Sequence, residues 1–556
     1  MLHRMGLVTI RKFMNLQKKK KTLVVCALTL WLVIFQPFIS EAEKVPNDPN
    51  EANETIDSMT LQDFIKRVVK KNEGILTQLL DFKISAEAVR GEKSVFEPKF
   101  LATYQRGRQK NKDYPNTLLN EELNERNEGY NASIQSKVPT GATVKLGYDV
   151  KASREFILNI GEQYTSFIGV EISQPLLKGA GMAATANIDV AGADSDIAFQ
   201  SYRKKMLQTV LNAAAACWDY YGAREKLEIQ KDSVKIAEQI LKENKERAKV
   251  GKMAETEVLV AEAGLIKRES LESMARQNLL TAMDTLRSYI SSTSFEVRID
   301  IEFSHEFTIA SDFKPDFGSS IRKAFHYRPE YLSARRKIER ENIVVSYAKN
   351  QRWPQLDLKG SYGLNGLGDS AGDSWNDMHD EDYRTWTVGA ELTIPLLGGM
   401  KTKSELNSAI YRKKQALLEL KSIEVEVANM IDTAIQNVYS TQNQLQRYIK
   451  VKGLNQQLLD VEIAMIDAGK SNSRLVLEKE EDLIDARDAA LKSLIENKKA
   501  ILVLEMAEGI LLSKYGVEVA PLVNMQQIDI FHNKLGIDME INADFSPCDT
   551  DWLNRP

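Results

Sequence analysis

Two rhythms of apolar positions run along this chain, and each occurs twice. Over residues 187–250, apolar side chains return at three- and four-residue steps through Phe199, Met206, Val210, Ala213, Cys217, Tyr220, Leu227, Val234, Ala237 and Leu241. Over residues 403–468 the same steps pass through Leu406, Ile410, Leu417, Leu420, Val427, Ile431, Ala434, Val438, Leu445 and Tyr448. No proline interrupts either run. Each predicts a helix about 100 Å long at 1.5 Å per residue, far beyond a globular helix and suited to a coiled coil. Each breaks at a glycine, Gly251 or Gly469, and a second helical stretch returns over 256–290 or 473–512. The expected product is two long helical hairpins with tips near Gly251-Lys252 and Gly469-Lys470.

The second rhythm has period two, the mark of a half-buried strand. Trp386, Val388, Ala390, Leu392 and Ile394 alternate with Thr387, Gly389, Glu391 and Thr393. Ile168, Val170 and Ile172 alternate with Gly169, Glu171 and Ser173, so Glu171 and Glu391 fall on the polar faces of equivalent strands. Leu356, Leu358 and Tyr362 alternate with Asp357, Lys359 and Ser361, and Phe100, Ala102 and Tyr104 with Lys99, Thr103 and Gln105. The first half carries an extra alternating pair, 130–138 and 142–150, joined by Pro139-Thr140-Gly141.

The recurrence is a duplication. Residues 61–104 and 317–360 match without a gap at an offset of 256, placing Ile65 on Ile321, Leu76 on Leu332 and Pro98 on Pro354. Gln174-Pro175-Leu176-Leu177 and Ile394-Pro395-Leu396-Leu397 are offset by 220, and the two Gly-Lys pairs by 218. One unit built twice around a pseudo-symmetric object fits an enclosing architecture better than a single catalytic cleft. The expected division is 58–315 for the first repeat and 316–515 for the second, with a linker at 43–57 and a polar tail at 516–556.

Composition sets the compartment. A basic stretch (Arg11, Lys12, Lys18 to Lys21) precedes an apolar run from Leu23 to Phe35, and Ser40-Glu41-Ala42 supplies small residues for cleavage. Residues 1–42 thus read as a secretory signal peptide. Without them the balance is 67 basic against 77 acidic residues, from 74 and 78 in the full chain. That net charge of −10 argues against a nucleic-acid partner. Beyond the signal there is no second run of membrane-helix length, so membrane insertion after export would require a β-barrel. Two or four strands per half cannot close a barrel alone; several copies of the chain could.

No catalytic or metal-binding arrangement stands out. The five histidines are not at ligand spacing from one another, Cys217 and Cys548 suggest no disulfide framework, and no nucleophile elbow or phosphate loop occurs. Gly179-Ala180-Gly181-Met182-Ala183-Ala184 fits a dinucleotide pattern, but the strand before it alternates where a buried parallel strand would be continuously apolar. It reads as a strand-to-helix turn. The acidic stretch 364–382 reads as a solvated loop. No cofactor is expected.

In their order and doubling, these marks resemble the TolC-like outer-membrane efflux proteins. The resemblance covers roughly residues 58–515. It rests on Thr60-Leu61-Gln62-Asp63 opening the first helix, Pro98 and Pro354 before the strands, and Gln174-Pro175-Leu176-Leu177 at the barrel exit. The tip segments Val250-Gly251-Lys252…Thr256-Glu257-Val258-Leu259 and Ala468-Gly469-Lys470…Val476-Leu477-Glu478 complete it. The resemblance implies a mainly α fold with β: a homotrimer sharing one transmembrane β-barrel, continued into the periplasm by a coiled-coil α-barrel. It implies a passive duct in the outer-membrane lipid, opened at its tips by a periplasmic adaptor and an inner-membrane pump or ABC exporter. Glu478 aligns with one tunnel-entrance carboxylate of the family, while Leu475 replaces another. Glu257 aligns with a tip-locking aspartate, but Ser471 and Ile466 stand where its partners would be, leaving Arg474 as a substitute. Lumenal Glu478 would form a three-fold ring of carboxylates; alternatively Glu478, Glu480 and Glu481 are solvated surface charges. A competing expectation is a structural periplasmic coiled-coil protein whose strands form a soluble sheet.

Overall fold

The computed structural model describes residues 59–111, 123–154, 163–251, 253–290, 301–302, 313–379, 383–394, 399–467, 470–471 and 473–517. The signal segment, the linker and the tail beyond Val517 lie outside these residues, as do Lys252 and Gly469 at the tips.

Polar caps start the short helices of both halves. β1 (Met59–Thr60) runs into α1 (Leu61–Lys71). Thr60 Oγ1 accepts from the Asp63 amide at 3.2 Å, satisfying one of the unpaired donors of the first turn. Asn72 ends α1, and its side chain caps α2 (Glu73–Lys93). In the second half, Asp316 caps α5 (Phe317–Tyr327) by accepting from the Ser319 amide at 2.8 Å. Pro329 then opens α6 (Pro329–Asn350) at the position where a missing N–H is harmless. α1 and α5 begin 256 residues apart, as do α2 and α6.

The long helices follow the expected periodicity. α3 (Met182–Lys249) and α8 (Met400–Asp467) each run 68 residues and begin 218 residues apart. α4 (Glu255–Tyr289) and α9 (Ser473–Glu508) return from the tips, and α10 (Leu511–Lys514) closes the described chain. Their packing leaves a stagger of buried positions along α9 at steps of three and four: Val476, Glu480, Leu483, Ala486, Ala490, Ser493, Asn497, Ala500 and Leu504.

The main core lies where α1, α3, α4 and α10 meet, around Phe64, Ile65, Val210, Cys217, Leu286 and Leu511. Each such large side chain contributes about 1.5–3 kcal/mol on burial. A smaller core under α5 gathers Ala324, Val427, Ile431 and Leu504. β6 (Ile301–Glu302) pairs in parallel with β1, a contact that two-residue strands do not announce in sequence.

Six strands form one antiparallel sheet: β2 (Lys99–Asn111), β3 (Leu123–Lys137), β4 (Thr143–Arg154), β5 (Gln163–Pro175), β7 (Gln355–Gly368) and β8 (Arg384–Thr393). Their order is β2-β3-β4-β5-β7-β8, so the extra pair of the first half sits within the sheet, between β2 and β5. The stretch 364–382 corrects the expectation of a solvated loop. β7 continues to Gly368, and α7 (Ala371–His379) folds back on the sheet, with Trp375 edge-on to Tyr148 at 5.0 Å and Ser374 buried. Close approach requires glycine there, since a Cβ on Gly366 would lie 1.9 Å from the Ser374 carbonyl. Asp380 to Asp382 lie outside the described residues, within which no cluster fits a metal ion. No described helix is long and apolar enough to cross a membrane.

Candidate functional site

Residues directly opposite in an antiparallel sheet point the same way, so the register assigns every side chain to a face. One row across all six strands reads Phe100, Ile134, Leu146, Val170, Tyr362 and Trp386. All six are exposed in the single chain. The adjacent row, on the opposite face, reads Lys99, Gln135, Lys145, Glu171, Ser361 and Thr387. The sheet therefore has one apolar and one polar side along its whole width.

The polar side holds a groove of about 660 Å³ lined by Gln135, Lys145, Glu171, Lys359, Thr387 and Glu391 among others. Glu171 and Glu391 both lie there, on the polar face that the alternation predicts. Neither carboxylate is alone. Lys145, directly across on β4, reaches Glu171 at 3.4 Å, and Lys359 on β7 pairs diagonally with Glu391. The lysines were equally visible in sequence, but which glutamate each would meet depended on strand register.

The same face carries a glycine row, Gly147, Gly169 and Gly363, on three adjacent strands. The Phe167 ring lies over two of them. A Cβ on Gly169 or Gly363 would come within 2.4 Å of that ring and within 2.7 Å and 2.5 Å of backbone carbonyls, respectively.

At the strand-to-helix turn, the glycine pattern is structural. Gly179 and Gly181 adopt φ of 81° and 59°. Asn350 Oδ1 accepts from the Gly179 amide at 2.7 Å, and the Thr140 carbonyl from the Gly181 amide at 3.2 Å. The amides that a phosphate would need are already bound.

At the other end, Gly251 turns α3 toward α4 with φ of 68°. The Lys470 amide donates to the Met465 carbonyl at 2.9 Å, and Ser471 donates to Glu462 across the second tip. Glu478 and Arg474 are exposed on α9, and Glu257 is half-buried on α4. Arg474 and Glu257 are not paired with each other. Glu481 meets Lys267 of α4 at 2.8 Å.

Glu480 corrects the reading of three solvated carboxylates. It is 1% exposed, and its Oε2 receives Arg268 Nη2 at 2.5 Å. Ser233 Oγ accepts from Arg268 Nε and donates to Glu480 Oε1, both at 3.0 Å. Arg268 Nη1 also donates to the Gly264 carbonyl at 3.3 Å. The cluster ties the first hairpin, through α3 and α4, to α9 of the second. Further out, Lys226–Asp488 at 2.9 Å and Asp219–Lys499 at 2.5 Å continue the same seam. A signal for Glu480 existed: it occupies a seam position between Val476 and Leu483, where a solvated charge does not belong.

A sheet with one apolar and one charged face, carried on helical hairpins of 68-residue helices, is the geometry of a membrane duct with an aqueous extension. A family model described as outer membrane efflux protein matches residues 143–292 and 321–500. The chain belongs to the outer membrane efflux protein family. It is 24% identical over 345 residues to the outer membrane protein TolC of Vibrio cholerae, covering 62% of this chain and 76% of that relative. In fold it is similar to the CmeC outer membrane channel of Campylobacter jejuni, with a TM-score of 0.56 at 16% identity over 83% of this chain and 90% of that one. It is likewise similar to the open state of the MtrE outer membrane channel of Neisseria gonorrhoeae, with a TM-score of 0.55 at 15% identity over 81% and 89%. This efflux-family chain is accordingly an outer-membrane transport duct with a periplasmic helical extension, and not an enzyme.

Proposed function

We propose that the protein is the passive exit duct of a tripartite efflux or type I secretion assembly. Three copies would share one barrel, with a periplasmic adaptor at the tips and an inner-membrane pump or ABC exporter supplying the energy. The observation that carries this reading is the two-faced sheet, whose edge strands among the described residues, β2 and β8, each have only one neighbour. A membrane excludes unpaired backbone donors and acceptors, so such a sheet is complete only when other copies extend it.

The helices supply a second support. Val451, Leu454, Leu458, Val461 and Met465 form a heptad stripe along α8 and are all exposed, as are Leu259, Ile266 and Met274 of α4. An a/d seam facing water in one chain is a surface for another helix. The tip segments Gly251-Lys252 and Gly469-Lys470 are the surface offered to the adaptor, and Gly251 and Lys470 are exposed. Glu478 is the carboxylate assigned to the entrance, with Glu257 and Arg474 beside the gate. The buried Arg268–Glu480 pair holds the two hairpins of one copy together, in place of a Glu257–Arg474 lock.

The test is assembly and conductance. Outer-membrane fractions should yield heat-modifiable, SDS-resistant trimers that conduct ions in planar bilayers. A detergent-independent monomer that leaves bilayers sealed would overturn the reading.

A further inference from the structure

The duplication predicts equal contributions from the two halves, yet the first half gives four strands to the sheet and the second gives two. We infer that all six strands of each copy enter the shared barrel. Three copies then close eighteen strands, with β2 of one copy paired to β8 of the next. This rests on the trimeric duct proposed above and specifies its wall.

Three observations place β3 and β4 in the wall and not in a surface hairpin. The first is continuity of pairing. β3 is laddered to β2 from Lys99↔Gln135 to Asn111↔Leu123, and β4 to β5 from Thr143↔Ser173 to Ser153↔Gln163. Removing the pair would break both ladders and require β2 and β5 to find each other.

The second is the orientation of the turn. Val138 to Ala142, which joins β3 to β4, lies at the helical end of the sheet. Thr140 accepts there from the Gly181 amide at 3.2 Å, and its hydroxyl meets Gln174 at 3.0 Å. Short turns at the periplasmic end are the rule for outer-membrane barrels. A hairpin displayed outside the cell would turn at the opposite end.

The third is facial chemistry. Ile134 and Leu146 are 48% and 51% exposed and continue the apolar row without a break, while Gln135 and Lys145 continue the polar one. At 15 and 12 residues, β3 and β4 exceed the ~9–11 needed to span.

Closure then follows from parity. With six antiparallel strands, β2 and β8 run in opposite directions, so the edge of one copy meets the next as an antiparallel pair in a head-to-tail ring. Every residue of β8 is exposed, as an edge awaiting a partner would be. Barrel diameter grows roughly linearly with strand number, making this barrel about half again as wide as one built from four strands per copy.

The test uses the full-length chain with Cys548→Ser; Cys217 is buried and stays silent. Single cysteines at Ile134, Leu146, Val170 and Val388 carry a fluorophore quenched by lipid-borne nitroxide. All four should be quenched and should resist a membrane-impermeant thiol reagent. Quenching at Val170 and Val388 but aqueous labelling at Ile134 and Leu146 would overturn the six-strand wall and leave the duct standing. Aqueous labelling of all four would sink both. Oxidation of Ala102→Cys against a cysteine scan of β8 should give covalent trimers; a scan that yields none refutes the β2–β8 junction.

Discussion

Arg268 of α4 and Glu480 of α9 meet at 2.5 Å in the interior of the helical domain, 212 residues apart in the chain. Ser233 of α3 bridges them. Removing one partner from a buried pair strands the other, at about 3–5 kcal/mol. Glu480→Ala should lower the helical melting transition in detergent and raise the resting conductance. Arg268→Met with Glu480→Leu should melt near the parent. A Glu480→Ala protein that melts like the parent would remove the pair from the account of the tips.

On the polar face of the sheet, Lys145 and Lys359 each sit against a carboxylate, Glu171 and Glu391. Lys145→Gln with Lys359→Gln leaves Glu171 and Glu391 uncompensated in every copy. The reversal potential in a salt gradient should shift toward cation selectivity. No shift would mean that these side chains do not line the conducting path.

Gly363 has no room for a side chain, whereas a Cβ on Gly389 would meet nothing within 4 Å. Gly363→Val should abolish SDS-resistant trimers, while Gly389→Ala should leave them at parental yield. Equal yields would show that the Phe167 ring moves aside freely.

Burial lifts the Glu505 carboxyl above the ordinary carboxylate range, against the pull of Lys514 at 2.5 Å; neighbouring Glu508 adds to the rise. The folded state therefore keeps this proton to a higher pH than the unfolded chain. As pH climbs from the unfolded pKa through the raised folded one, the unfolded chain deprotonates first and stability falls. Glu505→Gln preserves the neutral shape. It should raise the melting temperature at pH 7, with the gain vanishing near about pH 4. A lower melting temperature at pH 7 would show that the lost Lys514 ion pair outweighs relief from burial.

Much of this architecture was legible because it is written in local periods. The steps of three and four in 187–250 and 403–468 gave the two 68-residue helices to within a few residues at each end. Alternation put Glu171 and Glu391 on the polar face. Other features were hidden because their cause is not local. Whether the extra strand pair lay inside or outside the sheet could not be read from alternation, which is the same in both cases. The stretch 364–382 looked like a loop because its acidic residues mask the one turn of apolar contact, Trp375 and Met378, that seats α7 on the sheet. Glu480 looked like its neighbours Glu478 and Glu481 until packing separated them.

Sequence alone therefore determined the elements, their doubling and the chemical character of each face, since helix and strand periods repeat within a few residues and need no distant partner. Tertiary structure alone decided the strand order, the Lys145–Glu171 and Lys359–Glu391 pairs, and the burial of Glu480 against Arg268. Those depend on register between elements hundreds of residues apart, and register is fixed only when whole faces pack together.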